Sequence, residues 1–286
     1  MRRWIQLLLV ALVAGCGSGD GGSRDLLVDA ASKTTKAGSA RTSFHAVTEG
    51  PGLPEPLEMS GEGVVDNSER VGRLDFDFSS LASALPSGSG LSADDLKGEM
   101  VFQEFVLYMR FPLFERLLGG GKEWVRLDLE KVGETQGIDL GQLAQVGQAD
   151  PSQALQYLRA VSGEVEDKGE EDVRGVATTH YEAKVDLRKF PDVVPDEQRD
   201  TAKASIDALV KQLGGESELP MEVWIDDDGL IRRQRFDFAV EQGGQDVSLE
   251  YEIELYDFGV RVDVEPPAEE DTADLSELAA QGAAGG

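Results

Sequence analysis

Apolar and polar residues alternate with a period of two in segment after segment of this chain. That pattern restricts it to a fold built on sheet. The cleanest run is 73–78, where Leu74, Phe76 and Phe78 fall on one side and Arg73, Asp75 and Asp77 on the other. In 247–255, Val247, Leu249, Tyr251, Ile253 and Leu255 oppose Ser248, Glu250, Glu252 and Glu254. Segments 97–102, 104–110 and 122–129 read as three more strands, and 57–65 as a fainter one blurred by Gly61 and Gly63. Segment 173–187 reads as one long strand with Val173, Ala177, Thr179, Tyr181, Ala183, Val185 and Leu187 on a shared face. Segments 221–226 and 231–240 flank Asp226-Asp227-Asp228-Gly229, a hairpin turn by composition. Alternation in so many pieces implies one large antiparallel sheet, apolar on one face and polar on the other.

Helical signals are fewer. Leu27, Ala30, Ala31, Thr34 and Ala37 form a stripe through 24–40. Segment 129–162 reads as mainly helical, with Asp150 as an N-cap and Pro151 at the first helical position. Ile206, Leu209, Val210 and Leu213 give 195–213 an amphipathic face, and Gly214-Gly215 stops it. These helices need an apolar partner, and the apolar face of the sheet supplies one. The expected class is therefore α+β: an α+β layer or a curled half-barrel, with helices over the apolar face.

The 286 residues carry 55 acidic and 27 basic side chains, a formal charge of -28. Phosphate backbones need clustered Lys and Arg, so nucleic acid is not an expected partner. The same charge disfavours electrostatic docking on anionic lipid. Enzyme motifs are absent: there is no HExxH, CxxC, GxSxG or Walker loop, and no pattern assigns His45 or His180 a nucleophile to activate. Asp226-Asp227-Asp228-Gly229 puts glycine fourth, whereas an EF-hand loop needs it sixth. No cofactor, metal or catalytic residue is assigned, and the chain does not read as an enzyme.

What remains is the apolar face itself. Leu74, Phe76, Phe78, Phe102, Phe105, Leu107, Met109, Val223, Ile225, Phe236, Phe238, Leu249, Tyr251 and Ile253 are candidates to line a cavity. Phe, Met and Leu side chains suit pliable apolar sites. If the helices leave the sheet incompletely filled, such a lining would hold acyl chains.

Met1-Arg2-Arg3 is a basic start, and Trp4 to Ala14 is an apolar run broken only by Gln6. The run is about 11 residues, short of the roughly 20 that span a bilayer. It reads as a cleavable leader over 1–15. Val13-Ala14-Gly15-Cys16 resembles the lipobox of bacterial lipoproteins, and Cys16 is the only cysteine. That resemblance implies a diacylglyceryl group on Cys16, a chain held at the extracytoplasmic face of the cell membrane, and no disulfides. Residues 16–23 read as a flexible tether, 24–264 as the folded domain, and 265–286 as an acidic, Ala/Gly-rich disordered tail.

Three further stretches carry a family likeness. They are Tyr108-Met109-Arg110-Phe111-Pro112 with Gly121 to Asp128; Val173 to Tyr181 with Val185-Asp186-Leu187; and Val223-Trp224-Ile225-Asp226 with Asp228 to Arg233. Together with the lipobox they resemble actinobacterial lipoproteins of the LppX/LprG type, which share the fold of the LolA and LolB carriers. The resemblance implies a half-barrel with an apolar cavity, a hydrophobic lipid ligand, a monomer, and movement of lipid across the envelope. Its alternative is an envelope sensor or interaction lipoprotein, with a membrane transporter or regulator as partner and no cargo.

Overall fold

The computed structural model describes residues 21–51, 53–66, 68–84, 90–118, 121–131, 162–192, 196–242 and 245–275. Cys16, the expected leader, the expected tether up to residue 20, most of the helical stretch expected over 129–162, and 276–286 lie outside the described residues.

Twelve strands form one sheet, antiparallel except at one edge. In chain order they are β1 (Ser39–Glu49), β2 (Leu57–Asp66), β3 (Val71–Asp77), β4 (Lys97–Gln103), β5 (Val106–Arg110), β6 (Trp124–Asp128), β7 (Ser162–Val173), β8 (Val176–Asp186), β9 (Glu218–Asp226), β10 (Ile231–Gln242), β11 (Gln245–Tyr256) and β12 (Thr272–Asp274). β1 to β6 run as one meander and β7 to β11 as another, and β1 pairs with β11 to join them. Among the described residues, three α-helices accompany the sheet: α1 (Gly21–Lys36), α2 (Pro112–Leu118) and α3 (Asp196–Gln212).

Several local outcomes differ from the sequence reading. α1 ends at Lys36, because Gly38 takes φ 76 and turns the chain straight into β1. β1 was hidden because its apolar-side positions include Ala40, Thr42, Ala46 and Thr48, which are small or polar. Of the long strand expected over 173–187, Val176–Asp186 forms β8, while Val173 is the last residue of β7. Arg174 and Gly175, at φ 51 and 78, form the tight turn between them. Positive φ at both central residues is the geometry that matches strand twist in a hairpin. Val173 therefore pairs with Val176 on the face opposite Tyr181 and Ala183. β7 itself, Ser-Gly-Glu-Val-Glu-Asp-Lys-Gly-Glu-Glu-Asp-Val, is an edge strand and needs no apolar alternation.

Part of the expected tail is also structured. Thr272–Asp274 pair in parallel with Trp124–Arg126. Ala273 covers Val125, and Arg126 lies 3.0 Å from Asp274. Lys122 Nζ donates to the Thr272 carbonyl at 2.7 Å. An acidic segment becomes a strand because its one small apolar residue and one carboxylate meet partners on β6.

α1 docks on the apolar face at the β8–β10 end. Leu27 and Ala30 pack with Ala183, Val223, Ile225 and Ile231, and Tyr181, Met221 and Val165 border the cluster. One polar device fixes the helix. Thr34 Oγ1 donates to the Ala30 carbonyl and accepts the Ile231 N–H, both at 2.8 Å. The expected turn at Asp226–Gly229 is present. Asp226 accepts the Leu230 N–H at 2.8 Å and the Arg232 guanidinium at 2.5 Å, so its carboxylate is used within the turn.

Candidate functional site: an aromatic run on the apolar face

Directly opposed residues in a ladder present side chains on the same face. The register therefore assigns most of the expected lining to one surface. Leu74 lies opposite Met100, Met100 opposite Met109, and Met109 opposite Val125. Phe102 lies opposite Leu107. Ile225 faces Ile231, and Phe236 lies between Met221 and Tyr251. Phe238 pairs with Leu249, and Ile253 lies between Gln234 and Phe44. Val223 joins this row through Gln234. Phe76 pairs with Gly98 in the row that starts at Phe44. Phe78 follows β3, with its ring 5.2 Å from that of Phe76 and tilted to it. Phe105 lies apart, in the β4–β5 turn, with the Arg70 guanidinium 5.6 Å above its ring.

The rings on this face connect. Tyr251 lies 6.3 Å from Phe44, and Phe44 lies 5.2 Å from Phe76. Phe76 is 5.2 Å from Phe78, Phe78 is 5.9 Å from Phe111, and Phe111 is 5.4 Å from Phe114. Six aromatic rings thus run from β11 to α2. None of these six is buried; all are partly exposed. Burial nevertheless pushes the Tyr251 phenol above its ordinary pKa, as an apolar surround requires.

Glycines lie beside these rings. Phe44 is opposite Gly61, and a methyl group at Gly61 would overlap the Phe44 ring and meet the Asp75 carbonyl at 2.6 Å. Phe102 leans on Gly72 and Phe111 on Gly98 in the same manner. Each ring lies low over bare backbone, so the aromatic surface stays close to the sheet. Phe44, Phe111 and Phe114 were missed as candidates. The signal was available in Phe111-Pro112-Leu113-Phe114, an aromatic pair bracketing a helix start; Phe44 stood in a strand that could not be seen.

The other face is polar and tightly paired. Glu254 accepts from Arg233 Nη2 at 2.6 Å and from Arg174 Nε at 2.6 Å. Burial works to raise the Glu254 pKa, but the hydrogen bonds from Arg233 and Arg174 hold it below the usual carboxylate range. Arg174 lies 4.0 Å over the Tyr256 ring, and His180 stacks on Trp224 at 4.2 Å. Trp224 Nε1 donates to Glu171 at 2.8 Å. Glu99, 7% exposed, is held between Arg73 and Arg110. A cleft of about 570 Å³ opens on this face between Ser43, His45, Ser60, Asp75, Lys97 and Glu252. Among the described residues, no group of three or more His, Cys, Asp or Glu could hold a metal, and no helix is long and apolar enough to cross a membrane.

No family model matches the chain. It is 30% identical over 166 residues to an uncharacterised 31.2 kDa protein of Streptomyces griseus, covering 58% of this chain and 52% of that one. It is 28% identical over 165 residues to a candidate lipoprotein of Streptomyces coelicolor, covering 56% and 45%. The chain thus spans about half the length of the curated relatives it matches. Among solved structures it is similar to lipoprotein LppX of Mycobacterium tuberculosis, with TM-score 0.45 and 13% identity over 84% of this chain and 99% of that one. LprF of Mycobacterium bovis follows with TM-score 0.35 and 15% identity over 86% and 97%. The MucA/MucB complex of Pseudomonas aeruginosa gives TM-score 0.31 and 14% identity over 85% and 59%. LppX, whose type of lipoprotein the sequence resembles, is thus among the structures to which the chain is similar.

Proposed function

We propose that this chain is a membrane-anchored extracytoplasmic lipoprotein whose apolar face binds an acylated lipid and shields it from water. The sheet curls as a half-barrel, helices lie over its hollow side, and Cys16 carries the anchor. The observation that carries this reading is the aromatic run. Six rings from Tyr251 to Phe114 connect at 5.2–6.3 Å, yet every one keeps part of its surface exposed. A continuous exposed apolar surface marks a binding site more often than a packing defect. Each methylene group removed from water contributes about 0.8 kcal/mol. A carrier needs only to match the membrane, so that its cargo can leave again. No catalytic step is assigned.

Native mass spectrometry of the full chain extracted from a lipid-rich host tests both parts. The expected spectrum shows a mature chain starting at acylated Cys16, with a further lipid mass that is lost on activation. A bare, ligand-free mass under several extraction conditions would falsify lipid binding. A second reading, an interaction lipoprotein without cargo, is favoured by the cleft on the polar face. A co-purified protein in place of lipid would support it.

A further inference from the structure

The sheet comes apart at one place. β8 and β9 stay paired to the end, through Lys184 with Pro220, Val185 with Leu219 and Asp186 with Glu218. β10 and β11 stay paired through Gln242 and Gln245. Between these two pairs of strands, the ladder of β9 with β10 stops at Met221 and Phe236. Pro220 is the first residue past the last pair, and it has no N–H to offer a neighbouring strand. Here the sheet divides into two leaves, β7–β9 and β10 onward.

A cavity of about 400 Å³ occupies the split. Its lining comes from both faces of the sheet. Leu219 and Phe238 lie opposite Val185 and Leu249, and so belong to the apolar face. Pro220 and Ala239, one position further on, belong to the polar face, and they line the same cavity. Residues of both faces thus border the cavity at the place where the ladder of β9 with β10 has ended. Leu213, 4% exposed at the end of α3, borders it, with exposed Glu216 and Glu218 beside it. The chain leaves α3 through Gly214 and Gly215, at φ 65 and 97, and a methyl group at either would touch nothing within 4 Å.

We infer that this split is a side passage through which one acyl chain reaches the apolar face. The inference rests on the lipid-binding reading above. Its volume lies at the small end of the about 300–1,000 Å³ typical of small-molecule sites, which suits a single chain. Glu216 and Glu218 disfavour an anionic head group at the mouth, so the occupant is the chain of an uncharged acyl lipid.

The test uses the full chain and a pyrene-labelled monoacylglycerol, with uptake and release followed by stopped-flow fluorescence. Two variants close the split by different means: Ala239→Trp fills it, and Pro220→Val restores the missing N–H. Both positions are exposed, and circular dichroism checks that the fold is kept. Uptake and release are each expected to slow about tenfold, equal in barrier to about 1.4 kcal/mol, while the amount bound at equilibrium stays the same. If the unaltered chain takes up no probe, the lipid reading itself falls and the passage with it. If it takes up probe and both variants exchange at its rate, the passage alone is overturned. Lower occupancy at unchanged rates also overturns it, because the split would then be part of the pocket.

Discussion

The two ends of the apolar face are built from the same alternation but are covered differently. At the β8–β10 end α1 seals the surface, and Ala183 and Val223 are each 1% exposed. At the β1–β6 end Phe44, Phe76, Phe78 and Phe111 touch one another and remain partly open. The residues beside them differ accordingly. The covered end interlocks Leu27, Ala30 and Ile225; the open end sets its rings on Gly61, Gly72 and Gly98. One end of the surface is sealed by α1, and the other carries rings that are partly exposed.

The largest expected effect separates the two halves directly. Ile225→Ala should destabilise the protein by about 3 kcal/mol, as cavities in packed cores do. Phe76→Ala should cost about 1 kcal/mol, because a ring that is partly exposed loses less burial. Urea unfolding midpoints measure both at constant slope. Equal losses would show that the open end is packed core and would dissolve the distinction.

Gly61→Ala comes next. The added methyl must displace the Phe44 ring and strain against the Asp75 carbonyl, so a loss of about 2 kcal/mol is expected. Unfolding measurements with a loss below about 0.5 kcal/mol would mean that the ring lifts freely and is not laid on the sheet by its neighbour.

The smallest effect probes how the strands under the covered end are held from behind. Glu254 has a folded pKa below its unfolded value of about 4.3. Its contribution is complete above that value and is lost as pH falls through the folded pKa. Acidification below about pH 4 should therefore remove about 1 kcal/mol, and Glu254→Gln should show no such loss. A parallel pH dependence in the two proteins would assign the effect to other carboxylates.

The sequence made the fold legible wherever large apolar residues alternated with charges, as in 73–78 and 247–255. There the assigned faces agree with the ladder registers. It was opaque where a strand had another reason to exist. β1 sits in mid-sheet with alanines and threonines on its apolar side, β7 is a charged edge, and β12 is the triplet Thr-Ala-Asp, whose strand partner is β6. The surface carrying the candidate site followed from period two alone. Its continuity did not, because Phe44 to Phe76 to Phe111 is an adjacency across strands and α2, set by registers and by glycines that leave no periodic trace.

The pairing of Thr272–Asp274 with Trp124–Arg126 has a consequence for how the molecule is made. The first meander can zip up as soon as it emerges from the ribosome, yet its outer border stays raw until residues 272–274 have followed. For that interval β6 offers unpaired amides and carbonyls to any passing strand. Residues 272–274 work as a clasp, and a nascent chain stalled before residue 272 would be the species most prone to stick to its neighbours.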